Sequence, residues 1–245
     1  MRKSFTRLII GVALTATAAG SFASGWSYEG KEGPEFWGKL GLDNIMCKIG
    51  KNQSPIDLTN MVKGKLPRLN LDYQAGGNEV INNGHTVQVN YAPGSTLVVD
   101  GDTYQLKQFH FHTPSENHIN GSAYDLEAHF VHADKDGNLA VLAVMFKIGK
   151  ENKALDAIWD DMPEHKGDKV EEHNAIDASS LLPKKLAYYR FNGSLTTPPC
   201  SEGVVWLVLK DVQQVSADQV AKFAGVLHHP NNRPIQNTNA RIVVQ

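Results

Sequence analysis

The chain has 245 residues, enough for one large domain or two small ones with a sizeable buried core. A composition that is 41% hydrophobic and 20% charged is that of a globular protein and excludes a disordered or fibrous chain. The net charge of −2 gives no cationic surplus, so nucleic acid is not an expected partner.

The first residues read as a targeting segment. Arg2, Lys3 and Arg7 make a positive start, and residues 8–19 are apolar with many small side chains. Ser21-Phe22-Ala23 then offers small residues on the near side of a cleavage site. The apolar run is too short for a confident bilayer span. We expect a cleaved signal peptide over residues 1–23 and an exported protein, periplasmic or secreted, with no stable membrane insertion after cleavage; the alternative is an uncleaved anchor. Cleavage removes three cations and no acid, taking the net charge from −2 to −5. The remainder carries no repeat, low-complexity tract or long linker, so residues 24–245 are expected to form one domain.

Strand patterns dominate that domain. Residues 86–91, 108–112 and 127–132 alternate in polarity, while residues 139–148 and 204–209 are apolar runs suited to buried strands. Turn signals such as Asn82-Asn83-Gly84, Asp100-Gly101 and Asp136-Gly137 separate them. Helix is expected over residues 152–162 and over 216–227, the second opening on a Ser-x-x-Gln capping box. The fold class is mainly β, a large and mostly antiparallel sheet with short peripheral helices.

Cys47 and Cys200 are the two cysteines, and neither belongs to a C-x-x-C pair. An exported protein with an even count usually pairs them. The expectation is a Cys47–Cys200 disulfide, against the alternative of two buried free thiols.

The densest information lies in Gln108-Phe109-His110-Phe111-His112. Residues two apart share a strand face, so His110 and His112 project together, about 6.6 Å apart along the strand, with both phenylalanines turned to the core. Glu127, His129 and Val131 share a face of the next strand. Antiparallel pairing would bring His129 opposite the first two histidines. Three imidazoles leave a fourth position open, as catalytic zinc sites do; Cu, Fe, Ni and Co also accept imidazole.

Several segments then match a known family in order: residues 28–37 (YEGKEGPEFW), 53–57 (QSPID), 82–85 (NNGH), 108–112 (QFHFH), 115–118 (SENH), 127–132 (EAHFVH), 139–146 (LAVLAVMF), 189–206 (containing GSLTTPPCSEGVVW) and 231–234 (NNRP). Over essentially all of its mature length the chain resembles the α-class carbonic anhydrases of the exported bacterial type. The resemblance implies a single domain on a central twisted, mostly antiparallel sheet. It also implies a lyase that hydrates carbon dioxide reversibly to bicarbonate and a proton, by attack of a zinc-bound hydroxide. His110, His112 and His129 would hold Zn2+, with Gln108, Glu127 and the backbone carbonyl of Asn231 as their outer partners. Thr196 and Glu116 would orient the hydroxide. Val131, Val141, Leu195, Thr197, Val204 and Trp206 would line the substrate pocket. His85 would shuttle the proton, with Tyr28, Asn83 and Gln88 ordering the relay; many relatives carry Asn at the position of Gln88. At least one of the Ser54–Pro55 and Pro198–Pro199 bonds is expected to be cis. A homodimer is the form common among similar bacterial proteins, though no interface is legible here. Two other functions compete: a zinc-hydroxide esterase activity, which would be secondary because no serine-nucleophile or H-E-x-x-H motif is present, and a non-catalytic binding domain, which the complete histidine set disfavours.

Overall fold

The structure is a computed structural model that describes residues 25–245; the expected signal peptide lies outside the described residues. Its strands are β1 (Asp57–Leu58), β2 (Asn70–Asp72), β3 (Gly77–Asn82), β4 (Val87–Tyr91), β5 (Thr96–Val99), β6 (Asp102–His112), β7 (His118–Ile119), β8 (Leu126–Ala133), β9 (Leu139–Ile148), β10 (Lys169–Ile176), β11 (Tyr188–Ser194), β12 (Glu202–Leu209) and β13 (Gln213–Val215). Its α-helices are α1 (Met46–Ile49), α2 (Lys153–Trp159) and α3 (Ala217–Leu227).

An 11-stranded sheet runs β10-β3-β4-β6-β8-β9-β12-β11, with β5 joined to β6, β2 to β5 and β13 to β9. Its pairings are antiparallel except β9 with β12 and β9 with β13. The mainly antiparallel expectation is therefore met, and the parallel pairs fall on the central apolar strand. β9 is buried on both faces, which is why its sequence is continuously apolar and does not alternate.

Two cores form, one on each face of the sheet. Phe109, Phe111, Phe130, Leu142, Val144 and Leu207 point to the larger one, which α2 and α3 close through Trp159 and Phe223. Val141, Ala143, Met145, Trp206 and Val208 point the other way. The alternation within β6 and β8 thus sets the phenylalanines in the first core and leaves the histidines on the opposite face.

The expected capping box opens α3: the Ser216 hydroxyl accepts from the Gln219 N–H at 3.1 Å, and Gln219 reaches back to the Ser216 N–H. The earlier helix is shorter than the predicted 152–162. Asn152 caps it, but it stops at Trp159, three residues short of Met162, whose successor Pro163 disfavours helical backbone before it. Cys47 and Cys200 form the expected disulfide, 153 residues apart in sequence. Ser54–Pro55 and Pro198–Pro199 are both cis, and Thr113–Pro114 is a third.

Candidate metal centre

His110 on β6 stands directly opposite His129 on β8, and His112 opposite Glu127. The register that pairs Phe109 with Phe130 in the core brings the three histidines together on the other face. One ligand nitrogen from each of His110, His112 and His129 lies within 4.8 Å of the others.

Each ring is oriented by one further partner. His110 Nδ1 is 2.8 Å from Gln108 Oε1, and His112 Nδ1 is 2.7 Å from the Asn231 carbonyl oxygen. His129 Nε2 is 2.8 Å from Glu127 Oε1. These contacts turn the remaining nitrogens toward one another and fix the tautomers. His112 Nε2 is fully buried with no hydrogen-bond partner in the protein, a position that a protein rarely tolerates without a ligand. Burial holds all three imidazoles below the usual histidine range, so they are neutral lone-pair donors at physiological pH. Donor chemistry, convergence and the orphaned nitrogen all fit a single metal ion.

Glu127 does more than orient a ring. Its Oε2 accepts from the N–H groups of Glu116 at 2.7 Å and Asn117 at 2.9 Å, and its Oε1 accepts from the Asn117 amide at 2.8 Å. Burial raises its pKa, and the Asn117 bonds pull it back. Glu116, also fully buried, is pushed up to about 8 by burial; the Arg233 N–H and the Thr196 hydroxyl act in the lowering direction. Its Oε1 accepts the Arg233 N–H at 2.8 Å, and its Oε2 lies 3.5 Å from His112 Nε2.

The apolar residues expected to line the pocket fall in one cluster. Val141, Val204 and Trp206 are buried in the second core, with Val131 and Leu195 packed against it. The Trp206 ring meets His129 edge-on at 4.9 Å. Thr197 is half-buried in the turn closed by its carbonyl and the Cys200 N–H, 2.8 Å apart.

His85 follows the Asn82-Asn83-Gly84 turn. The Asn83 side-chain oxygen accepts from the N–H groups of His85 and Thr86 at 2.9 Å each, so it is engaged within the turn itself. Gly84 has φ +83°, which an L side chain adopts poorly, so glycine is needed there. The His85 ring stacks on Trp26, with Tyr28 at 6.5 Å. Gln88 lies opposite His110 in register, and its amide donates to Asn90 at 2.6 Å.

Sequence reading named the Asn231 carbonyl but not its side-chain contacts, and missed the other supporting contacts below. The Asn231 side chain donates to the carbonyls of His85 and Phe111 and accepts from Thr113, tying the shuttle turn to the ligand strand. Ser54 and Ser194 exchange hydrogen bonds, each hydroxyl accepting the other's N–H at 3.1 and 2.9 Å. Arg233 is buried and donates to Gln53, Ser54 and Cys47. Asn231, Ser54 and Arg233 lie in loops and Ser194 at the end of β11, where no periodicity marks a contact; the proline beside Asn231, Ser54 and Arg233 was the available signal.

This fold and site define a β-sheet protein with a cluster of three histidines suited to a metal ion, next to an apolar cluster that includes Val141, Val204 and Trp206. A family model described as eukaryotic-type carbonic anhydrase matches residues 32–245. A carbonic anhydrase of Neisseria gonorrhoeae is 49% identical over 248 residues, covering 99% of this chain and 98% of that protein. Among solved structures, the α-carbonic anhydrase from Thermovibrio ammonificans, in complex with the inhibitor sulfanilamide, superposes with a TM-score of 0.89 at 50% identity, covering 91% of this chain and 99% of that one. A hyperthermostable carbonic anhydrase identified from a hydrothermal vent chimney gives 0.88 at 51% identity over 90% and 99%. The chain belongs to the eukaryotic-type, or α, carbonic anhydrase family, and is an enzyme of the class that hydrates carbon dioxide reversibly to bicarbonate.

Proposed function

We propose that the chain is an exported zinc carbonic anhydrase, built as one catalytic domain over residues 24–245, in which His110, His112 and His129 hold Zn2+. The observation that carries this reading is the in-register histidine triad with an outer partner for each ring. Zinc, when bound, supplies a Lewis acid that lowers the pKa of water to about 7, carbonic anhydrase being the type example of the effect.

The chain's own residues do the rest. Burial keeps the imidazoles neutral, and Gln108, Glu127 and the Asn231 carbonyl keep them aimed. The Thr196 hydroxyl donates a hydrogen bond to Glu116, which leaves the threonine oxygen free only to accept. With zinc held by the three histidines, Thr196 would accept from the zinc-bound oxygen and so orient it toward the substrate carbon. Val131, Val141, Leu195, Val204 and Trp206 give apolar carbon dioxide a dry wall beside Thr197. His85 takes the excess proton to the rim, with Tyr28, Asn83 and Gln88 along the route.

The disulfide and the basic start of the chain support export. Among the described residues no helix is long and apolar enough to cross a membrane. Homodimerisation belongs to the same reading, and sedimentation of the mature chain tests it. Stopped-flow carbon dioxide hydration with zinc quantified per chain tests the activity; absence of hydration in a zinc-loaded protein would refute it.

A further inference from the structure

α3 ends at Leu227, and His228 turns the chain there with a left-handed backbone, φ +63°. The loop that follows is fastened to the His85 turn and to the strand that carries two of the three histidines. Asn231 is the fastening. Its buried side chain donates to the His85 carbonyl at 3.0 Å and to the Phe111 carbonyl at 2.9 Å, and its own carbonyl oxygen lies 2.7 Å from His112 Nδ1. His229 stands two residues before this anchor and is held beside the His85 turn.

The ring contacts agree with this placement. The Tyr28 ring meets His85 edge-on at 6.5 Å and His229 at 5.8 Å, so one tyrosine touches both histidines. Burial first, then the charges of Lys166 and His229, hold His85 below the usual histidine range. The two imidazoles are thus close enough for charge on one to oppose charge on the other.

The two rings differ in what covers them. His85 is stacked on Trp26. His229 is partly exposed, and Tyr28 is its one ring contact among the described residues. Its Nδ1 lies 3.0 Å from the Pro230 carbonyl oxygen. A carbonyl only accepts, so in the neutral ring Nδ1 carries the hydrogen and Nε2 the lone pair. Among the described residues Nε2 has no hydrogen bond or ion pair, which leaves it open to take a proton. His228, one residue earlier, meets neither Tyr28 nor His85 and lines a cavity of about 290 Å³ with Met162, His165 and Lys222.

We propose that His229 is a second proton carrier, taking the proton that His85 brings to the rim and passing it to buffer. The inference rests on the reading of His85 as the shuttle. In the transfer, an N–H bond of the His85 imidazolium breaks with its electron pair left on nitrogen. The proton crosses through solvent, and the His229 Nε2 lone pair forms the new N–H bond. His229 then gives a proton to a buffer base and is neutral again, while neutral His85 is free to return to Trp26. The two carriers act in series, and neither takes part in the attack on carbon.

The test is stopped-flow hydration by the zinc-loaded mature chain in weak buffer, together with NMR titration of the histidine ring carbons. His229→Gln is expected to lower kcat about threefold and to leave kcat/KM unchanged. His228→Gln should match wild type in both. Because the carriers act in series, His85→Ala/His229→Gln should be no slower than His85→Ala alone. With the His229 charge gone, His85 should titrate at a higher pH in the NMR experiment. Wild-type kcat for His229→Gln, beside a slow His85→Ala, overturns the second carrier and leaves the His85 reading standing. Wild-type kcat for His85→Ala overturns both. A double variant much slower than His85→Ala makes the two routes parallel and overturns the series. A matching fall in kcat/KM, or an equal loss in His228→Gln, assigns the effect to a disturbed Asn231 loop and overturns the proposal. An unchanged His85 titration in His229→Gln overturns it as well.

Discussion

The His85 imidazole lies flat on the Trp26 indole, ring centroids 3.7 Å apart and planes 12° from parallel. In this position the histidine is a weak base: burial first, then Lys166 and His229, lower its pKa to about 4. A base that weak accepts a proton poorly from a water of pKa about 7. A shuttle at this position must therefore leave the stack when it takes up its proton.

His85→Ala is expected to lower kcat several-fold in weak buffer and to leave kcat/KM unchanged, because hydration itself does not need the shuttle. Added imidazole should restore most of the loss. Trp26→Ala, which opens the ring to solvent, should raise the His85 pKa toward 6.5, read by NMR titration of the ring carbon. Wild-type kcat in weak buffer for His85→Ala would move the proton route to another group.

The Thr196 segment is held from two sides. Ser54 and Ser194 exchange N–H to hydroxyl bonds, and a Cβ at Gly193 would lie 2.1 Å from the Ser54 oxygen and 3.0 Å from the Trp206 ring. Gly193→Ala must break that lock, so we expect a loss of several kcal/mol in stability, as for overpacking of a dense core. Ser54→Ala leaves a buried N–H unpaired and should cost about 1–3 kcal/mol. Urea unfolding checks both; an unchanged midpoint for Gly193→Ala would contradict the close approach.

Cys47 and Cys200 close a loop with a sequence separation of 153. Chain-entropy reasoning gives about 5 kcal/mol for a loop of that length as an upper figure, and about 2–5 kcal/mol is the usual loss on removing a native bridge. The Cys47→Ser/Cys200→Ser variant should lose stability in that range, measured by urea unfolding under identical conditions. A stability equal to wild type would remove the bridge from the account of what holds the Thr196 loop.

His132 is buried on the core side of β8, its Nε2 2.6 Å from the Tyr73 hydroxyl, and burial lowers its pKa to about 4. Between about 4 and the unfolded value near 6.5 the unfolded chain binds the extra proton and the folded one does not. Its contribution is complete above pH 6.5 and is lost as pH falls toward 4. At roughly 1.4 kcal/mol per pKa unit the effect approaches about 3 kcal/mol. His132→Gln should be less stable than wild type at pH 7 yet change less between pH 7 and pH 4.5 in urea unfolding. Equal slopes for the two proteins would contradict it.

Much of this was legible in the sequence because strands write their faces in alternate residues. Phe109 and Phe111 against His110 and His112 announced both the core and the site, and Ser216 with Gln219 announced α3. What the sequence did not announce depends on contacts between distant loops. Trp26 reaches His85 from nearly 60 positions away, and the Ser54–Ser194 lock joins two segments that share no period. The parallel pairing of β9 with β12 is likewise silent in an apolar run, since a strand buried on both faces carries no mark of its neighbours' direction.

The central claim is that His110, His112 and His129 form one zinc centre that hydrates carbon dioxide. Its most direct test is zinc content per chain together with stopped-flow hydration, for wild type and for His129→Ala. The account predicts one zinc per wild-type chain with rapid hydration, and loss of both in the variant. Full zinc occupancy with near-normal turnover in His129→Ala would contradict it.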